Sequence, residues 1–249
     1  LTDTLVRVIK VIDVNEKPTV KDIEKDVDEN LKNGTVVAEV EAFDPDTIHK
    51  TEFAQLTYAI TTPDMPFDMN GNKVVVTDSS KLDFETNPKF EFYVKVTNCE
   101  YDSKGKLVAG AACLEDSAKV VLNLVDVNEK PDIKCIEGDN DCNGPFSIAE
   151  NSKTGTPIHA FAITDVDAVD QGKLTVTLTD KNGRNAGELF DVSLNTAKTE
   201  ATVVVKDSAK LNYEAVDSIY TVVLTVTDKD GLTDTLVRVI KVIDVNEKP

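Results

Sequence analysis

Residues 120–131 read Val-Val-Leu-Asn-Leu-Val-Asp-Val-Asn-Glu-Lys-Pro. Val120, Leu122 and Leu124 recur with the period of two that marks a half-buried strand. That strand runs directly into an acidic hexapeptide, Asp126–Pro131. The same hexapeptide stands at Asp13–Pro18 and at Asp244–Pro249, so the intervals are 113 residues (13 to 126) and 118 residues (126 to 244). A fixed period punctuated by one linker is the mark of tandem units. A second match confirms the copying: Val74–Glu85 is VVVTDSSKLDFE and Val203–Glu214 is VVVKDSAKLNYE. Leu1–Pro18 is also identical, letter for letter, to Leu232–Pro249. Eighteen matching positions exclude coincidence. They imply either near-perfect tandem copies in a longer parent or an engineered duplication, and the first is favoured. No signal peptide is visible and the chain opens in mid-pattern at Leu1, so it reads as a piece of something longer. Residues 1–17 are then the last strand and linker of a preceding repeat, 18–130 a first domain, and 131–249 a second with its linker.

Alternation continues elsewhere. Val36, Ala38, Val40 and Ala42 interleave with Val37, Glu39, Glu41 and Phe43. Phe90, Phe92, Val94 and Val96 interleave with Glu91, Tyr93, Lys95 and Thr97. Asn70-Gly71, Lys104-Gly105, Asn182-Gly183 and Asp230-Gly231 supply turns between the runs. No stretch sustains a helical stripe. The fold expected is all-β: two seven-strand, immunoglobulin-like Greek-key sandwiches in tandem.

The 249 residues carry 45 acidic and 27 basic side chains, a net charge of −18. Such a chain repels nucleic-acid phosphates and anionic lipid, and its natural partners are cations. No apolar run approaches the roughly 18 residues that span a bilayer. Trp is absent and aromatics are 6%, which leaves little with which to line a sugar cleft or a stacking platform. His49 and His159 fall in different domains without a nucleophile motif. An enzyme is therefore not expected.

The acids gather at matching places in each domain: Glu29, Asp44 with Asp46, Asp83 with Glu85, Asn98, and Asp126-Val127-Asn128-Glu129 in the first; Glu150, Asp165 with Asp167, Asn212 with Glu214, Asp228, and Asp244, Asn246 and Glu247 in the second. Carboxylates, amides and carbonyls are hard oxygen ligands, the donors calcium takes six to eight at a time, whereas zinc prefers Cys and His. Asp139-Asn140-Asp141-Cys142-Asn143-Gly144 with Glu150 also fits the spacing of an EF-hand loop. Its flanks do not read as helices, so a disulfide-tied surface loop is the preferred reading. Four cysteines allow three pairings. Local pairing, Cys99–Cys113 and Cys135–Cys142, is the economical one and implies an oxidising, extracellular setting. Asn33-Gly34-Thr35 is a glycosylation sequon.

Together these strings resemble two consecutive extracellular cadherin repeats over nearly the whole chain. Asp28-Glu29-Asn30 and Ala149-Glu150-Asn151 match the early Glu motif. Asp44-Pro45-Asp46 and Asp165-Val166-Asp167 match Asp-x-Asp, Leu82-Asp83-Phe84-Glu85 matches Leu-Asp-Arg-Glu, and Asp228 matches the strand-end Asp. The linker departs from Asp-x-Asn-Asp-Asn, with Glu129 for Asp, Lys130 for Asn, and the proline one residue early.

The resemblance implies three calcium ions at each complete junction. At the central one the upstream domain gives Glu29, Asp83 and Glu85. The linker gives Asp126, Asn128 and Glu129 with the carbonyls of Val127 and Lys130, and the downstream domain gives Asp165, Asp167 and Asp228. Asn15, Glu16, Asp44, Asp46 and Asn98 form half of the junction before it. Glu150, Asn212, Glu214, Asp244, Asn246 and Glu247 form half of the junction after it. The function implied is a calcium-rigidified extracellular stalk or filament segment, whose partners are neighbouring repeats of its own chain. A homophilic cell-adhesion module is the alternative. Strand-exchange adhesion in that family uses a Trp this chain lacks.

Overall fold

The computed structural model describes residues 3–12, 14–49, 53–102, 104–181, 186–214 and 217–247, apart from the side chains of Ile48 and His49. The expected turn at Asn182-Gly183 and linker residue Asp13 lie outside the described residues. The chain divides into two compact units between Val127 and Asn128, inside the repeated hexapeptide.

In the first unit the strands are β1 (Thr19–Val20), β2 (Ile23–Asp28), β3 (Val36–Glu39), β4 (Ala42–Phe43), β5 (Leu56–Ile60), β6 (Phe67–Asn70), β7 (Lys73–Val76), β8 (Lys89–Asn98) and β9 (Leu114–Val125). A single-turn helix, α1 (Pro45–His49), follows β4. One sheet has the order β2-β9-β8-β5 and the facing sheet β3-β7-β6, with β1 paired to β4. β2 lies parallel to β9, and the other pairings are antiparallel. The fold is a seven-strand sandwich in which the first and second strands are each broken in two. Gly71, at φ 64°, makes the tight β6–β7 turn in a conformation that costs glycine little.

Phe90, Phe92, Val94 and Val96 are all buried, as their alternation requires, and Phe67 stacks on Phe92 at 5.4 Å. The run from Val36 departs from the expected face. A register shift between Val36 and Ala38 lets Val37 and Ala38 both point inward, while Val36 and Phe43 are exposed. A β-bulge inserts one residue and breaks the period of two at that place.

The second unit contains β10 (Asp132–Cys135), β11 (Phe146–Ala149), β12 (Pro157–Thr164), β13 (Thr175–Asp180), β14 (Phe190–Leu194), β15 (Glu200–Val205), β16 (Ile219–Thr227) and β17 (Thr233–Ile243), with one helical turn, α2 (Ala186–Leu189). The sheets run β10-β12-β15-β14 and β11-β17-β16-β13, with β11 parallel to β17. Tyr220, Phe161 and Phe190 fill the space between the sheets. Each such ring removes enough apolar surface from water to contribute about 2–3 kcal/mol. The disulfides Cys99–Cys113 and Cys135–Cys142 both form, the pairing expected from the sequence.

Residues 3–12 form no strand, and Val8 and Val11 are 94% and 90% exposed. The same letters at Thr233–Ile243 form β17, held between β16 and β11. A strand is stable only where a neighbouring strand accepts its ladder and a core accepts its apolar face. The identical sequence has both at β17; at 3–12 it forms no ladder.

Candidate metal centre

The early glutamates occupy the same place in both units. Glu29 and Glu150 are buried just after β2 and β11. Asn30 and Asn151 follow at φ 57° and 55°, the left-handed region Asn tolerates best after glycine. Each glutamate spends its two oxygens on two backbone N–H groups. Glu29 accepts from Phe84 at 2.8 Å and from Val127 at 2.9 Å. Glu150 accepts from Tyr213 at 2.7 Å and from Val245 at 2.8 Å.

Phe84 lies between Asp83 and Glu85, and Val127 lies between Asp126 and Asn128. One buried carboxylate therefore fixes the middle residue of both candidate ligand segments. The Tyr213 and Val245 N–H groups hold the Glu150 carboxyl below the usual carboxylate range. Around it, one oxygen each of Glu150, Glu214 and Asp244 lie within 4.8 Å of one another. Asn151 bonds Glu247 at 2.5 Å. Asp83 also caps the turn after it, accepting from Thr86 at 2.8 Å. Glu85 and Asp126 are exposed, as are Asp244 and Asn246; Asn212 is half-buried.

At the other end of the second unit, Asp165, Asp167 and Asp228 are buried. Asp165 accepts the Asp167 N–H at 3.0 Å, and Asp167 accepts the Glu129 N–H at 2.9 Å. Asp228 closes the turn after β16. Its Oδ1 takes the N–H groups of Asp230, Gly231 and Leu232 at 2.8, 2.6 and 2.8 Å, and its Oδ2 takes Asn128 Nδ2 at 2.9 Å. Lys130 pairs with Asp234 at 3.3 Å, which leaves only its carbonyl for a ligand role.

Burial pushes the Asp165 carboxyl up, and the charges of Asp167, Asp170 and Asp228 push it the same way. Burial would raise Asp228 too, but the hydrogen bonds from Asn128, Leu232, Gly231 and Asp230 outweigh it and hold that group low. Among the described residues, Asp165 Oδ2 is buried and has no hydrogen-bond partner. A buried acceptor without a donor is costly, and a hard cation would satisfy it, so these residues fit calcium.

The first unit repeats the pattern in weaker form. Asp44 and Asp46 are buried, Asp44 accepts the Asp46 N–H at 2.9 Å, and Asp46 accepts the Glu16 N–H at 3.4 Å. Both amide atoms of Asn15 are buried and have no partner among the described residues. Asn98 stands where Asp228 stands in the second unit. It turns its Nδ2, not its oxygen, to Asp44 and to the Phe53 carbonyl at 2.6 Å.

The EF-hand spacing produces no such hand. The loop lies between β10 and β11 and is tied by Cys135–Cys142. Asp139 is spent on His159 Nε2 at 2.7 Å and on the Asp141 N–H at 3.0 Å. One buried acid escaped the sequence reading: Asp170, at the end of a 3-10 turn, Ala168–Asp170, just after the Asp-x-Asp pair.

The sequence matches the cadherin domain twice, over residues 24–121 and 145–243. The chain belongs to the cadherin family. Among cadherins, it is 29% identical over 253 residues to the Protocadherin-like wing polarity protein stan of Drosophila melanogaster, covering 96% of this chain and 6% of that protein. It is 27% identical over 265 residues to Cadherin-1 of Gallus gallus, covering 99% of this chain and 27% of that protein. The chain thus spans a minor part of these longer relatives. Cadherin domains 3–6 of Protocadherin Gamma B2 share the fold with a TM-score of 0.59 at 20% identity, over 92% of this chain and 48% of that one. Cadherins are a non-enzymatic, extracellular adhesion family whose domains bind calcium at their linkers. The two disulfides fit that oxidising compartment.

Proposed function

We propose that this chain is a calcium-rigidified segment of an extracellular cadherin stalk or filament, a structural and not a catalytic part. The observation that carries the reading is the buried set Asp165, Asp167 and Asp228 with its unpartnered Asp165 oxygen, beside a linker whose other end is pinned by Glu29. In this reading Glu29, Asp83, Glu85 and Asp126 of one unit, and Asn128, Glu129, Asp165, Asp167 and Asp228 of the other, serve one junction, with the carbonyls of Val127 and Lys130. Three calcium ions would set six positive charges against its eight carboxylates. Without metal those charges repel, each close pair by about 1 kcal/mol even in water. Bound calcium supplies ionic bonds shared between the two domains, so the joint stiffens.

The outer residues Asn15, Glu16, Asp44, Asp46 and Asn98, and Glu150, Asn212, Glu214, Asp244, Asn246 and Glu247, would serve neighbouring junctions. The stalk reading is preferred to homophilic adhesion because near-identical repeats need only join their neighbours. Small-angle scattering should give a longer maximum dimension in calcium than in EGTA, and sedimentation in calcium a monomer. An unchanged dimension would defeat the stiffening, and a calcium-dependent dimer would favour adhesion.

A further inference from the structure

Asp170 is fully buried, and no cadherin motif identified above includes it. Its Oδ1 accepts the Lys229 N–H at 3.1 Å. Its Oδ2 pairs with Lys229 Nζ at 3.3 Å. One oxygen each of Asp165, Asp167 and Asp170 lie within 4.8 Å of one another, and all three residues are buried. Buried carboxylates crowded this closely are costly unless a cation is shared among them, and the ammonium that reaches Asp170 is that of Lys229. That ammonium is divided further: Lys229 Nζ also contacts Asp230 and lies 3.4 Å from Asn128 Oδ1. A divalent ion coordinated by hard oxygens meets the unsatisfied charge, and calcium accommodates six to eight such donors. Asp165, Asp167, Asp170, Asp228 and Asn128 come close to that number. Asp165 Oδ2, buried and without a hydrogen-bond partner, is a second and independent sign that a cation belongs in this pocket.

We infer that Asp170 is a further carboxylate ligand of the calcium ion held by Asp165, Asp167 and Asp228, and that Lys229 is its resident counter-ion when calcium is absent. The inference rests on the calcium reading above and deepens it. Lys229 sits one residue beyond Asp228 on a mobile four-carbon stem, so the ammonium can leave the pocket while the carboxylates stay fixed. Calcium then competes with a tethered cation, and the affinity measured is lowered by that competition. The position five residues after the first Asp of each Asp-x-Asp pair is Asp170 in the second domain but His49 in the first. The added charge therefore belongs to the central junction alone.

Calorimetric calcium titration of the whole chain, with thermal melts in EGTA and in calcium, tests this. Removing one ligand charge by Asp170→Asn should weaken the affected affinity about tenfold and shrink the rise in Tm that calcium gives, without lowering Tm in EGTA. Lys229→Gln should tighten calcium binding severalfold. Asp170→Asn within twofold of the wild type would overturn the inference and leave the calcium reading intact, as would a drop in Tm equal in EGTA and calcium. Wild-type protein that binds no calcium would overturn both. If Asp170→Asn fails to fold, Lys229→Gln decides alone, and unchanged affinity defeats the proposal.

Discussion

Asn98→Asp gives the first domain the carboxylate that Asp228 supplies in the second, and its cost can be worked out from its surroundings. Asn98 and Asp44 are fully buried and Asp46 is 2% exposed. Asn98 Nδ2 donates to Asp44 and to the Phe53 carbonyl. An aspartate there donates to neither while ionised. A hydrogen bond to a charged group is worth about 1.5–3 kcal/mol. Two charges about 4 Å apart repel by about 4 kcal/mol at an effective dielectric of 20. The new acid can escape by taking a proton. Raising its pKa from about 3.9 to 7 costs about 4 kcal/mol, and that sets the ceiling on repulsion at neutral pH. The variant should therefore lose about 3–5 kcal/mol in EGTA at pH 7, or roughly 12–20 °C in Tm for a domain of this size. Calcium stabilises whichever native state binds it, by about 4 kcal/mol at a thousand times the dissociation constant, and the added carboxylate should bind it more tightly than the amide does, so the deficit should shrink in millimolar calcium. Calorimetric melts of wild type and variant in both buffers measure it. Wild-type stability in EGTA, or a deficit that calcium leaves intact, would refute the reasoning.

Two further outcomes follow from the first unit. Lys17 Nζ lies 2.9 Å from Asp116, and that bond, with the Val20 N–H, holds the Asp116 carboxyl below its ordinary range. The resulting stabilisation is present above the unfolded value near 3.9 and is lost as pH falls through the lower folded value. Lys17→Ala should raise the Asp116 pKa in an NMR titration, and an unmoved midpoint would contradict this. Phe92→Ala removes a ring that is 1% exposed and stacked on Phe67. It should cost about 3–5 kcal/mol in chemical denaturation, and a loss below about 1 kcal/mol would mean the core collapses around the gap.

The fold was legible wherever a residue's neighbours in sequence decide its surroundings. Phe90 to Val96 lie mid-sheet on β8 with regular pairing to β5 and β9, so their alternation maps directly onto burial. Val36 sits at a bulge, and no local pattern announces where a ladder slips. Residues 3–12 carry the letters of β17 but not its partners, and partners are a property of the whole fold. The candidate ligand residues stood out in the sequence because their spacing recurs in both domains. Asp170 was not, because it has no counterpart in the first domain. An isolated loop aspartate usually faces water, and only the turn Ala168–Asp170 carries this one inward.

Glu29 and Glu150 hold their two backbone segments with hydrogen bonds internal to one unit. The backbone of the candidate ligand segments is thus held in register by the protein's own hydrogen bonds. Ordering a loop around a metal would otherwise consume about 1–2 kcal/mol of chain entropy per residue, and preorganisation removes much of that cost from binding. A calcium ion bound as proposed would meet a frame whose remaining freedom lies mainly in side chains such as Glu85, Asp126, Asp244 and Asn246, all exposed. Such a frame favours fast capture and release without unfolding. In the proposed stalk, a joint built this way would soften and stiffen repeatedly as calcium varies, with each domain keeping its own ligand segments assembled throughout.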